Sequence, residues 1–215
     1  MYLFQLLDKE TPPHNHNCMS CEQCEGAYRC SDCFGKNWFC KDCCVKEHGR
    51  NPFHRIQAWN GNHFTDTSLK NLGLVLYLGH DGYPCPGLHQ DGSFPIPSSA
   101  QSPSPTSTLT IIDRLGVHEH NVQWCQCPNG QSRDIILLCM GLFSASIHNP
   151  KTAFTFQCLH YFHIDSMECQ TSARNFYTKL QRLTNETFPD NVKVRNYLIH
   201  FLTYCSIWDR IDIKS

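Results

Sequence analysis

In the stretch LGLVLYLGH, Leu72, Leu74, Leu76 and Leu78 alternate with Gly73, Val75, Tyr77 and Gly79. A period of two is that of a pleated strand, and because the intervening positions are apolar or small, both faces can be buried. Immediately upstream, Thr67 or Ser68 is placed to cap a short helical turn that ends at Gly73. In LTIIDRLGVHEHNVQWCQC, Ile111 and Ile112 and then Val122 and Trp124 predict two short strands joined near Gly116, with a further apolar run, IILLCMGLF, beyond them. The pattern changes to steps of three and four in SARNFYTKLQRL, where Ala173, Phe176, Tyr177, Leu180 and Leu183 mark one helical face and Ser172 stands as its cap. Val194, Tyr197, Leu198, Phe201, Leu202, Cys205 and Trp208 make a second stripe, so a helical hairpin is expected across the turn at Phe188, Pro189 and Asp190. The intervening TAFTFQCLHYFHID fits strand and helix alike. Near the start, FQLLDKE reads as a helix cut from a longer leader.

Residues 90–108, QDGSFPIPSSAQSPSPTST, are rich in Ser and Pro, bury little and read as a disordered insert or linker. The chain has 215 residues, 40 % of them apolar and 12 % aromatic, enough for one moderate domain or two small ones. The expected organisation is a leader fragment at 1–17, a cysteine-rich module at 18–60, a short-strand region at 61–165 and a helical hairpin at 166–215. The fold class is α+β.

The module at 18–60 lacks a long periodic run and carries Cys and His in pairs instead. Cys21-x2-Cys24, Cys30-x2-Cys33 and Cys40-x2-Cys43 are followed by His48 and His54. A C-x2-C knuckle lets two sulfurs approach one metal from a single turn, and Zn²⁺ settles into a tetrahedron of thiolates and imidazoles. Eight ligands make two closed sites. Taken as alternating pairs, Cys21, Cys24, Cys40 and Cys43 hold the first ion, and Cys30, Cys33, His48 and His54 the second, as a cross-brace. Sequential pairing is the alternative; it leaves the later histidines without partners. Cys18 precedes Cys21 by the same spacing and Cys44 follows Cys43 directly, so either can replace a named ligand.

The short apolar run at the start is followed at once by Asp8, Lys9 and Glu10, unlike a secretory signal, and no apolar run approaches the ~18 residues a membrane span needs. An intracellular setting is expected, and there paired thiols read as metal ligands rather than as disulfides. The charge count of 18 Lys and Arg against 19 Asp and Glu gives no global support to nucleic-acid binding. Locally, residues 29–55 hold six basic side chains (Arg29, Lys36, Lys41, Lys46, Arg50, Arg55) against three acidic ones (Asp32, Asp42, Glu47). Two Zn²⁺ ions and six thiolates together bring that excess of three nearer to +1, a mildly basic surface.

A second set of metal-competent groups lies in the middle of the chain: His80, Cys85, His118, Cys125 and Cys127. In an extended segment C-x-C leaves both sulfurs on one side, so Cys125 and Cys127 can face a third zinc with Cys85, and either His118 or His80 can close the set. Cys139, Cys158, Cys169 and Cys205 sit in apolar surroundings and read as packing residues.

Several strings together resemble the CxC-type cysteine-cluster domain associated with KDZ (Kyakuja-Dileera-Zisupton) transposases: YRCSDCFGKNWFCKDCCVKEHGRNPFHRIQAWNGNHF, SLKNLGLVLYLGHDGYPCP, GVHEHNVQWCQC, and PKTAFTFQCLHYFHID leading to SARNFYTKLQRLT. The resemblance runs from about Cys21 to about Trp208. It implies a zinc-binding nuclear module that assists DNA or chromatin recognition beside an RNase-H-like transposase core, acting with a transposase in trans or standing as a truncated remnant. No set of carboxylates placed for two Mg²⁺ ions is evident, so no catalytic residue is expected; with no spanning apolar run and no cofactor box, neither a membrane partner nor a small-molecule substrate is expected. The ligand order also resembles ZZ-type and B-box modules, with Trp38, Phe39, Phe53 and Trp59 as candidate walls of a peptide groove in an interaction or ubiquitin-pathway role. Zinc that is purely structural, with no retained activity, is the third reading.

Overall fold

The computed structural model describes residues 1–86 and 106–192 and divides the chain into two compact units, Met1–Leu74 and Val75–Ser215. Most of the Ser/Pro-rich insert and all of the second helix of the expected hairpin, with Cys205, lie outside the described residues.

The first unit contains α1 (Tyr2–Lys9), β1 (Tyr28–Cys30), α2 (Lys41–Glu47), β2 (Ile56–Trp59) and β3 (Phe64–Thr67). Its three strands form one antiparallel sheet in the order β1-β2-β3, with Cys30 opposite Ile56 and Trp59 opposite Phe64. The boundary drawn at residue 60 therefore falls inside a β-hairpin, and the cysteine-rich module extends through β3 and the turn beyond it. That turn is capped by Ser68, whose Oγ accepts the Asn71 N–H at 3.2 Å, and it ends at Gly73 with φ +97°. The core of this unit is small. Trp38 is buried, lies edge-on to Phe64 with ring centroids 6.0 Å apart, and donates its indole N–H to the His16 carbonyl at 3.1 Å. Trp38 is thus interior packing, not the wall of a peptide groove.

The second unit is built on a five-stranded mixed sheet in the order β4-β6-β5-β8-β7. Its strands are β4 (Val75–Leu78), β5 (Ser107–Asp113), β6 (Gly116–Trp124), β7 (Leu142–Ser144) and β8 (Thr152–Thr155). β4 is shorter than the leucine alternation suggests because the capped turn before it occupies Leu72 and Gly73. β5 begins at Ser107, inside the segment read as an insert, because Thr108 and Thr110 are β-branched and alternate with the buried Leu109. β5 and β6 form a hairpin, β4 joins β6 in parallel, and β8 joins β5 in parallel.

Among the described residues three helices accompany this sheet: α3 (Arg133–Cys139), α4 (Phe156–Glu168) and α5 (Ala173–Thr184). The ambiguous TAFTFQCLHYFHID resolves into both of its alternatives, β8 and then α4, with Thr155 as the pivot. The Thr155 Oγ1 caps α4 by accepting the Cys158 N–H at 3.1 Å and donates to the buried Asp113 carboxylate at 2.7 Å. Asp113 thereby ties the end of β5 to the residue that caps α4. Ser172 caps α5 by accepting the Asn175 N–H at 3.2 Å. Ile112, Phe154, Cys158, Leu159, Phe162, Ala173, Phe176, Tyr177 and Leu180 form the core between sheet and helices. Of the cysteines read as packing residues, Cys158 is buried, and burial pushes its thiol well above the ordinary range; Cys139 and Cys169 are exposed at helix ends and do not pack. Among the described residues no helix is long and apolar enough to cross a membrane.

Candidate metal centres

Among the described residues, three groups of four side chains bring their ligand atoms within 4.8 Å of one another: Cys18, Cys21, Cys40 and Cys43; Cys30, Cys33, His48 and His54; and His80, Cys85, Cys125 and Cys127. Bond lengths of about 2.3 Å to sulfur and 2.0–2.1 Å to nitrogen give a tetrahedron with edges of about 3.8 Å between sulfurs and about 3.5 Å between sulfur and nitrogen. The separations here match. The Sγ pairs Cys21–Cys40, Cys85–Cys125 and Cys85–Cys127 lie at 3.9, 3.9 and 3.6 Å. Sulfur–imidazole separations are 3.5 Å for Cys33–His48, 3.3 Å for Cys33–His54, 3.5 Å for Cys30–His54 and 3.2 Å for Cys125–His80. A disulfide requires about 2.05 Å, and no described cysteine forms one.

The first two groups interleave along the chain. Cys40 is the N-cap of α2, Cys43 lies in its first turn and His48 is its C-cap. Cys30 ends β1, and His54 stands two residues before β2. Alternating pairs therefore share a site, with one change of ligand. The sequence places Cys24 in the first centre, and the structure places Cys18 there instead. An antiparallel bridge between Asn17 and Glu25 sets Cys18 and Cys24 across a tight loop, where the Cys18 N–H donates to the Cys24 carbonyl at 2.7 Å. In this register Cys18 turns inward and is buried, and Cys24 is left exposed. Cys24 contributes its backbone: its N–H, with that of Gln23, points at the Cys21 sulfur and lowers that thiol to about 6. Cys44, the other spare thiol, belongs to neither ligand set; it is buried with its sulfur 3.9 Å from the His48 Nδ1, and burial pushes it up to about 12.

The second centre contains the four residues its sequence reading names. His48 donates Nδ1–H to the Cys44 carbonyl at 2.8 Å, which fixes the tautomer and leaves Nε2 facing Cys33. His54 presents Nδ1 instead. Beside it, the Asp32 carboxylate accepts the Arg55 backbone N–H at 2.6 Å and the guanidinium Nη2 at 2.6 Å. Burial opposes ionisation of Asp32, and the Arg55 bonds outweigh it, holding the carboxyl below its ordinary range.

The third centre takes its fourth ligand from His80, not His118. β4 and β6 run parallel with Leu78 opposite Trp124, so the residues just past both strand ends, His80 and Cys125, emerge together. His118 lies seven residues before Cys125, and at ~3.3 Å per strand residue it is about 20 Å away. The turn that delivers His80 is unusual, with φ of +49° at His80 and +55° at Asp81. Gly79 has φ +107°, and a Cβ there would meet the Cys125 Cβ at 3.0 Å, so the turn needs glycine at that place.

Electrostatics fit a cation at each four-sulfur or three-sulfur set. Clustered thiolates do not all ionise unaided: a hydrogen bond to Cys40 pushes Cys43 up to about 12, and hydrogen bonds to Cys125 and Cys85 push Cys127 up to about 11. A divalent ion between the sulfurs reverses this by stabilising the thiolates it touches. Backbone N–H groups already point at Cys30 from Asp32 (3.4 Å) and at Cys85 from Gln126 (3.4 Å), orienting the sulfurs as metal ligands are oriented. Each set is closed, with four protein ligands.

A family model described as a CxC2-like cysteine cluster associated with KDZ transposases matches residues 69–188. The match takes in the third centre, the whole mixed sheet and α3 to α5; the first two centres lie upstream of it. No curated protein and no solved structure matches the chain. The protein belongs to the CxC2-like cysteine clusters associated with KDZ transposases.

Proposed function

We propose that this chain is a zinc-binding accessory module of a KDZ-type transposase, acting in the nucleus on DNA or chromatin, in cis with a catalytic core or in trans to one. The observation that carries the zinc reading is the donor chemistry: S₄, S₂N₂ and S₃N sets with tetrahedral edges are what zinc selects. Closed four-ligand sets leave no position for a reacting water, which favours a structural and binding role over catalysis.

Support for a nucleic-acid partner is electrostatic. Arg29, Lys36 and Arg55 are engaged with Glu10, Asp8 and Asp32, while Lys41, Lys46 and Arg50 are exposed on and just after the metal-held α2. Native mass spectrometry of protein purified without added metal tests the first part, with three zinc ions expected and none after chelation. Fluorescence anisotropy on duplex DNA across a salt series tests the second. Binding that weakens with a log–log slope of about −0.9 per phosphate contact supports it, and salt-insensitive or absent binding rejects it.

A further inference from the structure

The two metal centres of the first unit share one element. α2 starts from a ligand of the first centre, Cys40, carries another, Cys43, in its first turn, and ends on a ligand of the second, His48. Seven residues are too few for a helix to persist in water on propensity alone. Cys44 is the one buried side chain of α2, so packing holds it weakly as well. Its two ends are secured by the two ligand sets.

The last turn of α2 in turn aims the second centre. The His48 backbone N–H reaches the Cys44 carbonyl at 3.2 Å and the ring Nδ1–H reaches the same oxygen at 2.8 Å. Nε2 faces Cys33 only while that turn is formed. A second link runs through the backbone: Phe39, next to Cys40, exchanges both hydrogen bonds with Tyr28, at 3.0 and 2.8 Å, two residues before Cys30. Ordering either ligand pair therefore restricts the other.

We propose that the first and second centres load as one cooperative unit: the first ion forms α2 and so completes the ligand set for the next. The module then passes from unfolded and empty to folded and doubly loaded over a narrow range of free zinc, which makes it a threshold sensor for whatever surface it presents. The inference rests on the metal-centre reading above. Coupling free energy is reciprocal, so each centre raises the affinity of the other by one common factor, expected on the order of 10- to 100-fold. The third centre takes its ligands from the ends of β4 and β6 and from Cys85, shares none of these elements, and loads independently.

The test uses the full chain carrying Cys127→Ser, which disables the third centre, and cobalt(II) as a spectroscopic probe. Thiolate-to-metal absorption is stronger for S₄ than for S₂N₂ and separates the two sites. Cys43→Ser should weaken the second centre, and His48→Ala should weaken the first, by the same factor of about 10–100. His48→Cys, which restores a ligand at the end of the helix, should recover the affinity of the first centre. Unchanged affinity of the intact centre in both Cys43→Ser and His48→Ala, or loss in His48→Ala that His48→Cys does not recover, overturns the coupling. A wild-type chain that takes up no metal at all fails the metal-centre reading itself and the coupling with it.

Discussion

Gly26→Ala tests the small interior that surrounds the first two centres. Gly26 φ lies outside the left-handed region, so the constraint is space: a Cβ would lie 2.3 Å from both Cδ1 and Nε1 of Trp38. Trp38 is buried, so the ring must shift, and the shift stretches its 3.1 Å hydrogen bond to the His16 carbonyl. Overpacking of this kind costs about 1–3 kcal/mol, and a buried donor deprived of its partner costs about 1–3 kcal/mol more. With partial relaxation the sum is about 2–4 kcal/mol. In a unit whose folding is linked to metal uptake, that loss appears as weaker metal binding. At ~1.4 kcal/mol per tenfold, and divided between two centres, each should weaken by about 5- to 25-fold. Competition with a chromophoric chelator measures this, and the third centre serves as an internal standard that should not move. Wild-type affinity at both centres, with unchanged indole fluorescence, would refute the placement of Trp38 against Gly26.

Four further outcomes are expected. Cys18→Ser should lower the zinc count seen by native mass spectrometry, whereas Cys24→Ser and Cys44→Ala should keep all three ions. His80→Ala should remove the third ion and His118→Ala should not; in His80→Ala the far-UV circular dichroism of the sheet should persist, because the core around Phe154 and Phe176 is built without that metal. Asp32→Asn should weaken the second centre by about 1–2 kcal/mol through the lost charge-assisted bonds to Arg55, read by chelator competition at pH 7. Because the folded Asp32 carboxyl titrates below 3.8, its contribution is fully present at neutral pH and is lost only as pH falls through that lower folded value. Alkylation of the native protein, mapped by peptide mass spectrometry, should label Cys139 and Cys169 quickly and spare Cys158 until the protein is unfolded.

Much of the candidate chemistry was legible in the chain because metal-competent side chains announce themselves by spacing. The set Cys30, Cys33, His48 and His54 needs only the rule that paired ligands share an ion and the order in which the pairs occur. The helix at Ala173–Thr184 was legible for a similar reason: one apolar face at steps of three and four, and a serine cap. What failed, failed where two readings had equal local merit. Cys18-x2-Cys21 and Cys21-x2-Cys24 are the same knuckle to a reader of spacing, and the choice depends on the Asn17–Glu25 bridge, a contact across a loop with no periodic signal. Cys139 and Cys169 resembled core residues because their neighbours are apolar, yet the helix ends on which they sit turn them to solvent.

Read alone, the chain already specifies the α+β class, the residue types that could hold metal, the interleaved order of their pairs and the strand-forming alternation around Leu76 and Ile112. These follow from chemistry that acts over a few residues: knuckle spacing, pleat period, helical face and cap. That His80 and not His118 closes the third set emerges from long-range strand pairing. That choice depends on β4 pairing in parallel with β6, forty-six residues downstream from Val75 to its partner Asn121. Parallel pairing between distant strands leaves no local mark, because its hydrogen bonds join backbone groups that every residue carries. The same holds for the role of α2: its seven residues spell a weak helix, and its place between two ligand sets, one at each end, is what gives it a function.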